Sequence, residues 1–411
     1  MTRPPTRYRF QPFLKSLRLD GLLSFPPGSK SVELNALNVL IGPNGSGKSN
    51  LIEALELLHA TPTAFATAIR DGGGVREWLW KGSNQNSDGI ASIEILTNES
   101  PSTAELRYRL SFTASGHRTE VIDEVLEETE KRSPHERDVF FFYRFMAGNP
   151  TINVTEVSRT AKQHRRGNPR HLERQSLVPD ESVLSQRKDP DLYPELTWIG
   201  AQFGLMQIFR DWTFGRYAQL RQPQPADLTS GLLLPDSRNL GLILNQLEHT
   251  DAGPRFNQVI SRFLPRYQRF STLTQGNTVQ FYLHEEGLRA PVPATRLSDG
   301  TIRFMAILAL LLSPAPPPMI CIEEPELGLH PDALTLLADL FVEASERSQL
   351  IVTTHSDTLL SALTEKTDSI LVCEHNAGTK LYRLDSAKLS YWLDKYRLGE
   401  IWRMGEIGGN P

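Results

Sequence analysis

The sequence predicts an α/β fold in which a core of buried strands is interrupted by an antiparallel β insertion and a helical lobe. Three observations carry this. Short apolar runs at 37–41, 319–322 and 350–353 have the length and composition of buried strands. Alternation from 90 to 128, through IASIEIL, ELRYRLSFTA and TEVIDEVLEE with turns at TNES and SGH, is that of an antiparallel sheet. Helical spacing in NLGLILNQLEH and RFNQVISRFLPRY supplies the lobe, and no heptad repeat is sustained, so no long coiled coil is expected.

Composition limits what the chain can be. Its 411 residues, 39% hydrophobic and 22% charged, are those of an ordinary globular protein. The longest apolar run, 304–312, falls well short of the ~20 residues of a membrane span, so no membrane association is expected. MTRPPTRYRF has basic residues with no apolar segment behind them, which is not a secretory signal. Cys321 and Cys373 lie in apolar runs; two such residues exclude a disulfide framework and fit a reducing, cytoplasmic setting. A net charge of −4 argues against a broadly basic nucleic-acid-coating surface, though not against a local patch.

The most informative stretch is 37–58, LNVLIGPNGSGKSNLIEALELL. A strand enters a glycine-rich loop, Gly42, Pro43, Asn44, Gly45, Ser46, Gly47, Lys48, Ser49, and a helix with Leu51, Ile52, Leu55 and Leu58 on one face leaves it. Gly45 and Gly47 let backbone N–H groups turn inward around phosphate oxygens, with the positive end of the helix behind them. Lys48 would reach the outer phosphates, and the Ser49 hydroxyl would ligate Mg²⁺. A nucleoside triphosphate is the expected ligand.

Before this loop, 13–19 and 31–34 read as strands joined by SFPPGSK; after its helix, Gly72-Gly73-Gly74 marks a break. A strand at 139–145 follows the β region. The run 159–174, RTAKQHRRGNPRHLER, carries six Lys/Arg without an apolar stripe and reads as a basic loop. Arg165, Arg166 and Arg170 could touch DNA phosphates there, or the loop is simply solvated. A helix is expected around 199–209, then the two amphipathic helices and a hairpin at 269–273 and 278–283. The expected organisation is one head over 1–411: an N-terminal core to 89, the β-rich insertion with the basic loop over 90–195, helical lobe and hairpin over 196–296, and a C-terminal core from 297.

The C-terminal part carries three further motifs. LSDGT precedes the helical run IRFMAILALLL, so Ser298, Asp299 and Gly300 stand at a helix N-terminus, as an anion-binding end or an ordinary cap. MICIEEPELGLHP begins with a strand ending in Glu323 and Glu324; one acid could hold Mg²⁺ and the other polarise an attacking water. LIVTTHSD runs a strand into His355.

In this order the four motifs resemble those of ATP-binding-cassette ATPases, and within them the RecF/SMC branch. GPNGSGKSN is similar to that branch's Walker A, with Asn50 after Ser49; LSDGT to the signature, ICIEE to Walker B, GLHPDAL to the D-loop and TTHS to the switch histidine. The resemblance implies a P-loop NTPase fold, an ABC-type head, with ATP and Mg²⁺ as cofactors. By position it implies phosphate and Mg²⁺ binding by Lys48 and Ser49, Glu324 as catalytic carboxylate, His355 as γ-phosphate sensor, and Glu323 and Gln186, in the Q-loop place, on the metal side. Ser298, Asp299 and Gly300 would then serve the ATP of a second protomer in a homodimer with composite sites. Glu323 for Asp, and Asp299 for Gly, resemble stand-alone ATPases related to the overcoming-lysogenisation-defect nucleases, whose motif reads EEPE. Those nucleases carry a C-terminal Toprim domain, whereas about 55 residues follow His355 here. An effector protein, nuclease-like and acting in trans, is therefore expected, with anti-phage defence or DNA repair as the implied role. The alternatives are a nucleotide-gated scaffold with little turnover, which the Glu323 departure keeps open, and the nucleotide-binding subunit of a transporter.

Overall fold

A computed structural model describes residues 10–408 apart from 83–88, 99, 102–103, 147, 156–166, 211 and 214. It divides into two compact units interleaved in sequence. The first takes in Met1–Ala36, Gly42–Met206 and Leu371–Tyr382; the second takes in Leu37–Ile41, Gln207–Ile370 and Arg383–Pro411.

The first unit is built on an eight-stranded antiparallel sheet in the order Val32–Glu33, Leu14–Asp20, Ala91–Thr97, Leu106–Ser115, Arg118–Glu128, Phe141–Met146, Asn149–Thr155, Gly167–His171. Alternation fixes its faces: Ala91, Ile93 and Ile95 are buried, whereas Ser92 and Glu94 between them are half-exposed. On the apolar face Tyr108 meets Phe203 of the Pro194–Leu205 helix edge-on at 5.5 Å, and Phe112 meets Phe65 at 5.4 Å. Each fully buried aromatic or aliphatic side chain of this kind contributes about 1.5–3 kcal/mol. The opposite face is a ladder of charges, with Arg109 paired to Asp123 and Arg144 to Glu127. Gly72 and Gly73 do interrupt the helices, which end at Asp71 and restart at Val75. The basic run is not wholly a loop: Gly167–His171 is the edge strand, pairing Arg170 with Ile152. Arg165 and Arg166 lie outside the described residues.

One charge sits inside this unit. Glu124 is buried and accepts hydrogen bonds from Ser182 Oγ at 2.5 Å, Val183 N at 2.8 Å and Tyr108 Oη at 2.8 Å. Burial nonetheless pushes its carboxyl from 4.5 up to about 7. Because the folded value is the higher, the stability Glu124 contributes is fully present below the unfolded value and is lost as pH rises through about 7. A glutamine can donate to the Ser182 and Tyr108 hydroxyls, which turn to accept, while still accepting from Val183. Glu124→Gln is therefore expected to match the parent within about 1 kcal/mol near pH 5 and to exceed it by roughly 2–3 kcal/mol at pH 8. Urea midpoints at the two pH values check this; identical pH profiles would mean that Glu124 stays ionised.

In the second unit four parallel strands run in the order Gln207–Phe209, Met319–Glu323, Gln349–Thr353, Leu37–Ile41. All residues of the last two are buried, the polar Asn38, Gln349 and Thr353 among them, as in strands covered on both faces. Register sets Glu323 opposite Thr353, and Thr353 opposite Leu40, so the three strands finish at one edge. The helix expected around 199–209 ends at Leu205; Met206 turns to φ −58, ψ 141, and Gln207–Phe209 pairs with the Met319–Glu323 strand. An available strand edge outweighs local apolar pattern here. The helix Asp299–Leu311 is buried at every residue from Thr301 onward, which accounts for the longest apolar run in the chain. No described helix is long and apolar enough to cross a membrane. The longest described helix, Pro331–Ala344, has 14 residues, so no long coiled coil is present among the described residues. Cys321 and Cys373 are buried thiols, each in a strand.

Candidate functional site

The phosphate loop belongs to the first unit. The helix Lys48–Ala60 starts from Gly47, at φ +104, with no side-chain cap and no acid in its first turn. Its positive end is thus not neutralised by its own sequence. Gly42, at φ +149, could not carry a side chain, since a Cβ would stand 2.2 Å from the Cys373 carbonyl oxygen. At Gly47 a Cβ would stand 2.1 Å from Thr379 Oγ1 and 2.8 Å from Ser24 Oγ. That hydroxyl pair braces the loop: Thr379 Oγ1 donates to Ser46 O at 2.8 Å and lies 2.7 Å from Ser24 Oγ. Nothing in the sequence around Ser24 or Thr379 announces this. Lys48 Nζ donates to Gly42 O at 2.7 Å and Pro43 O at 3.2 Å, and Ser46 Oγ is buried without a hydrogen-bond partner. Backbone donors, a buried ammonium and an orphaned hydroxyl suit an anionic phosphate chain.

The acids and the histidine belong to the second unit. Glu323 closes its strand, and its Oε2 accepts from Arg210 Nε at 3.0 Å. Glu324 follows at φ +46, a left-handed conformation that costs a non-glycine residue on the order of 1–3 kcal/mol. It is held there from both sides. Glu324 N donates to Thr353 O and Oγ1 at 3.2 Å, and Glu324 O accepts from Arg303 Nη2 at 2.8 Å. The turn brings Glu324 Oε1 to 3.5 Å from His355 Nε2. Glu326 steadies the histidine's backbone: its Oε1 accepts from His355 N at 2.7 Å and from Thr354 Oγ1 at 2.8 Å. Burial pulls the Arg303 guanidinium down to about 10, with Glu326 and then Glu324 opposing. Arg303 and Glu326 were each visible, as the one cation in IRFMAILALLL and as the last letter of EEPE, though neither residue type alone suggests its contacts. Arg210 gave no signal.

Ser298 caps the helix Asp299–Leu311, its Oγ accepting from Thr301 N at 3.1 Å. Gly300 has to be glycine, because a Cβ would meet Gly328 O at 2.7 Å. The Asp299 carboxylate is spent within the chain: Arg221 pairs with it and Gly215 N donates to it at 3.0 Å. The Arg221 hydrogen bond holds its carboxyl below the usual carboxylate range. Asp299 therefore shapes the turn, and only its backbone is left for an anion. Gln186 is likewise engaged within the chain. Its carboxamide accepts from Val178 N at 2.7 Å and donates to Val178 O and Glu181 O at 3.2 and 3.0 Å, clasping a loop of the first unit.

No group of three or more His, Cys, Asp or Glu among the described residues could hold a metal by itself.

Residues 37–361 match the family described as "AAA domain, putative AbiEii toxin, Type IV TA system". The chain belongs to that family. Its match spans all four motifs, and the chain is thus an AAA-type ATPase domain. The fold is that of Smc heads. An Smc head bound to the C-terminal winged-helix domain of ScpA superposes with TM-score 0.57 at 16% identity, over 92% of this chain and 99% of that one. The Pyrococcus furiosus Smc head with an extended coiled coil, bound to the C-terminal domain of ScpA, gives 0.57 at 15%, over 94% and 99%. The Pyrococcus yayanosii head gives 0.51 at 12%, over 94% and 99%. No curated protein matches the chain.

Proposed function

We propose that this family member hydrolyses ATP as an ABC-type ATPase of the RecF/SMC/overcoming-lysogenisation-defect branch, dimerising around two ATPs to gate DNA binding or a partner effector in anti-phage defence or DNA repair. One observation carries the catalytic part: a strained Glu324 held 3.5 Å from His355 at the edge where the phosphate-loop strand also ends. Strain of this kind persists where surrounding contacts over-determine it, which is how catalytic carboxylates are commonly fixed. Lys48 and the helix N-terminus bind the phosphates, Ser49 and Glu323 are the oxygens for Mg²⁺, and Mg²⁺ when bound neutralises charge on the phosphate oxygens. Glu324 orients and deprotonates the attacking water, and His355, steadied through Glu326, senses the γ-phosphate. Ser298 and Gly300 contact the ATP of the other protomer. The dimer and effector parts rest on motif resemblance and on Smc heads having been solved with ScpA bound.

One observation favours the slower, scaffold-like reading: Glu323 already holds a cation, Arg210, at 3.0 Å. Steady-state phosphate release with and without DNA separates the two. Glu324→Gln should still bind ATP but hydrolyse it on the order of 10²-fold more slowly, because only the group that activates water is lost. Closed dimers should accumulate on size exclusion with ATP. Loss of turnover in Glu323→Gln with Glu324→Gln intact would reverse the assignment of the two acids.

A further inference from the structure

Four residues that follow the Gln207–Phe209 strand reach both ends of the catalytic corner in the second unit. Arg210 Nε holds Glu323 at 3.0 Å. Trp212 stacks on Phe209 with ring centroids 5.1 Å apart, and the Arg303 guanidinium lies 5.2 Å from the Trp212 ring. Arg303 is the side chain that donates to Glu324 O. At the other end Gly215 N donates to Asp299, and Arg221 pairs with Asp299 while donating to Leu297 O and, at 3.2 Å, to Ala294 O. Arg221 is only 4% exposed. Burying a guanidinium costs several kcal/mol unless acceptors surround it, and here those acceptors are the carboxylate and carbonyls of the signature turn.

We propose that these residues form a strut that makes the strand-end acids and the signature turn move as one. This rests on the composite-site reading above. In such a dimer the acids of a chain serve its own nucleotide and its signature serves the partner's, so a rigid tie between them reports the state of one site to the other. Arg210, Trp212 and Arg221 are positioning residues that act through Glu323, Glu324 and Asp299.

Hydrogen exchange on the nucleotide-free full chain tests the strut without requiring activity. Arg210→Gln and Asp299→Asn suit this, since their side chains are 23% and 53% exposed and each substitution removes the charge while leaving a polar side chain in place. Arg210→Gln is expected to speed amide exchange about tenfold at residues 299–302, and Asp299→Asn to do so at 323–326. Melting temperatures should stay within about 3 °C of the parent. Should Arg210→Gln not fold, Arg210→Lys, which keeps the charge and loses the fixed geometry, carries the same comparison. Each variant loosening only its own end would overturn the strut. Turnover gives a second readout: the kcat losses of the two variants should not multiply in the double variant, and Arg210→Lys should recover part of kcat at unchanged KM. Multiplying losses would sink the idea. A parent chain that never dimerises with ATP would instead sink the composite-site reading, leaving the exchange result to decide the strut alone.

Discussion

Lys48→Ala is expected to lower ATP affinity by at least about 100-fold, close to 3 kcal/mol. Lys48 is 5% exposed and its ammonium lies among the carbonyls of Gly42 and Pro43, in a site where water screens little. A charge-assisted hydrogen bond to a phosphate oxygen is there worth roughly twice a neutral one. Alanine also removes the ammonium's hydrogen bonds to both carbonyls, Pro43 O keeping Ser46 N at 3.2 Å, so the loop itself should loosen. Lys48→Arg separates the effects: it keeps the charge, cannot reproduce the ammonium's compact geometry, and should recover folding more than affinity. Fluorescent-nucleotide titration, with thermal melting as control, is the measurement. Unchanged affinity in a folded Lys48→Ala chain would remove the phosphate-loop assignment, and with it the rest of the site.

The parts of the fold read correctly from sequence are those governed by short-range rules. Leu37–Ile41 is a strand and Lys48–Ala60 a helix because apolar period and glycine placement agree over twenty residues. The hairpin Tyr267–Gln275 with Thr278–Glu285 and the strands of the insertion follow from alternation in the same way. What failed was decided at a distance. Gln207–Phe209 continues a helical apolar pattern, yet it pairs with a strand more than a hundred residues later. Gly167–His171 has no strand composition and is held as an edge by its partner. The same holds for the corner around the acids. The letters Glu323, Glu324 and His355 were legible, but Arg210 and Arg221 are ordinary arginines until long-range packing sets them on Glu323 and Asp299. Gln186, a position chosen by order along the chain, has its amide engaged with its own loop, which no local pattern announces.

The architecture itself is tested by mixing two inactive chains. In a cassette sandwich, Ser298 of one protomer completes the site built on Lys48 of the other. Ser298 is exposed at its helix cap, so Ser298→Arg can project its side chain outward without disturbing the buried run that begins at Thr301. Homodimers of Lys48→Ala and of Ser298→Arg should each be nearly inactive, the first with both phosphate loops broken and the second with both signatures blocked. In a heterodimer the two lesions fall in one composite site, and the other site keeps an intact Lys48 and an intact Ser298. With free exchange and independent sites, an equimolar mixture is half heterodimers carrying one good site each. About a quarter of the parent activity should therefore return, a fraction set by the two-fold symmetry. A signature that served its own chain could give no such recovery, because every chain in the mixture is defective. A mixture that stays dead while the chains demonstrably exchange would mean that both sites must fire together, the outcome a rigid tie between acids and signature also favours. A fully active Ser298→Arg homodimer would end the sandwich.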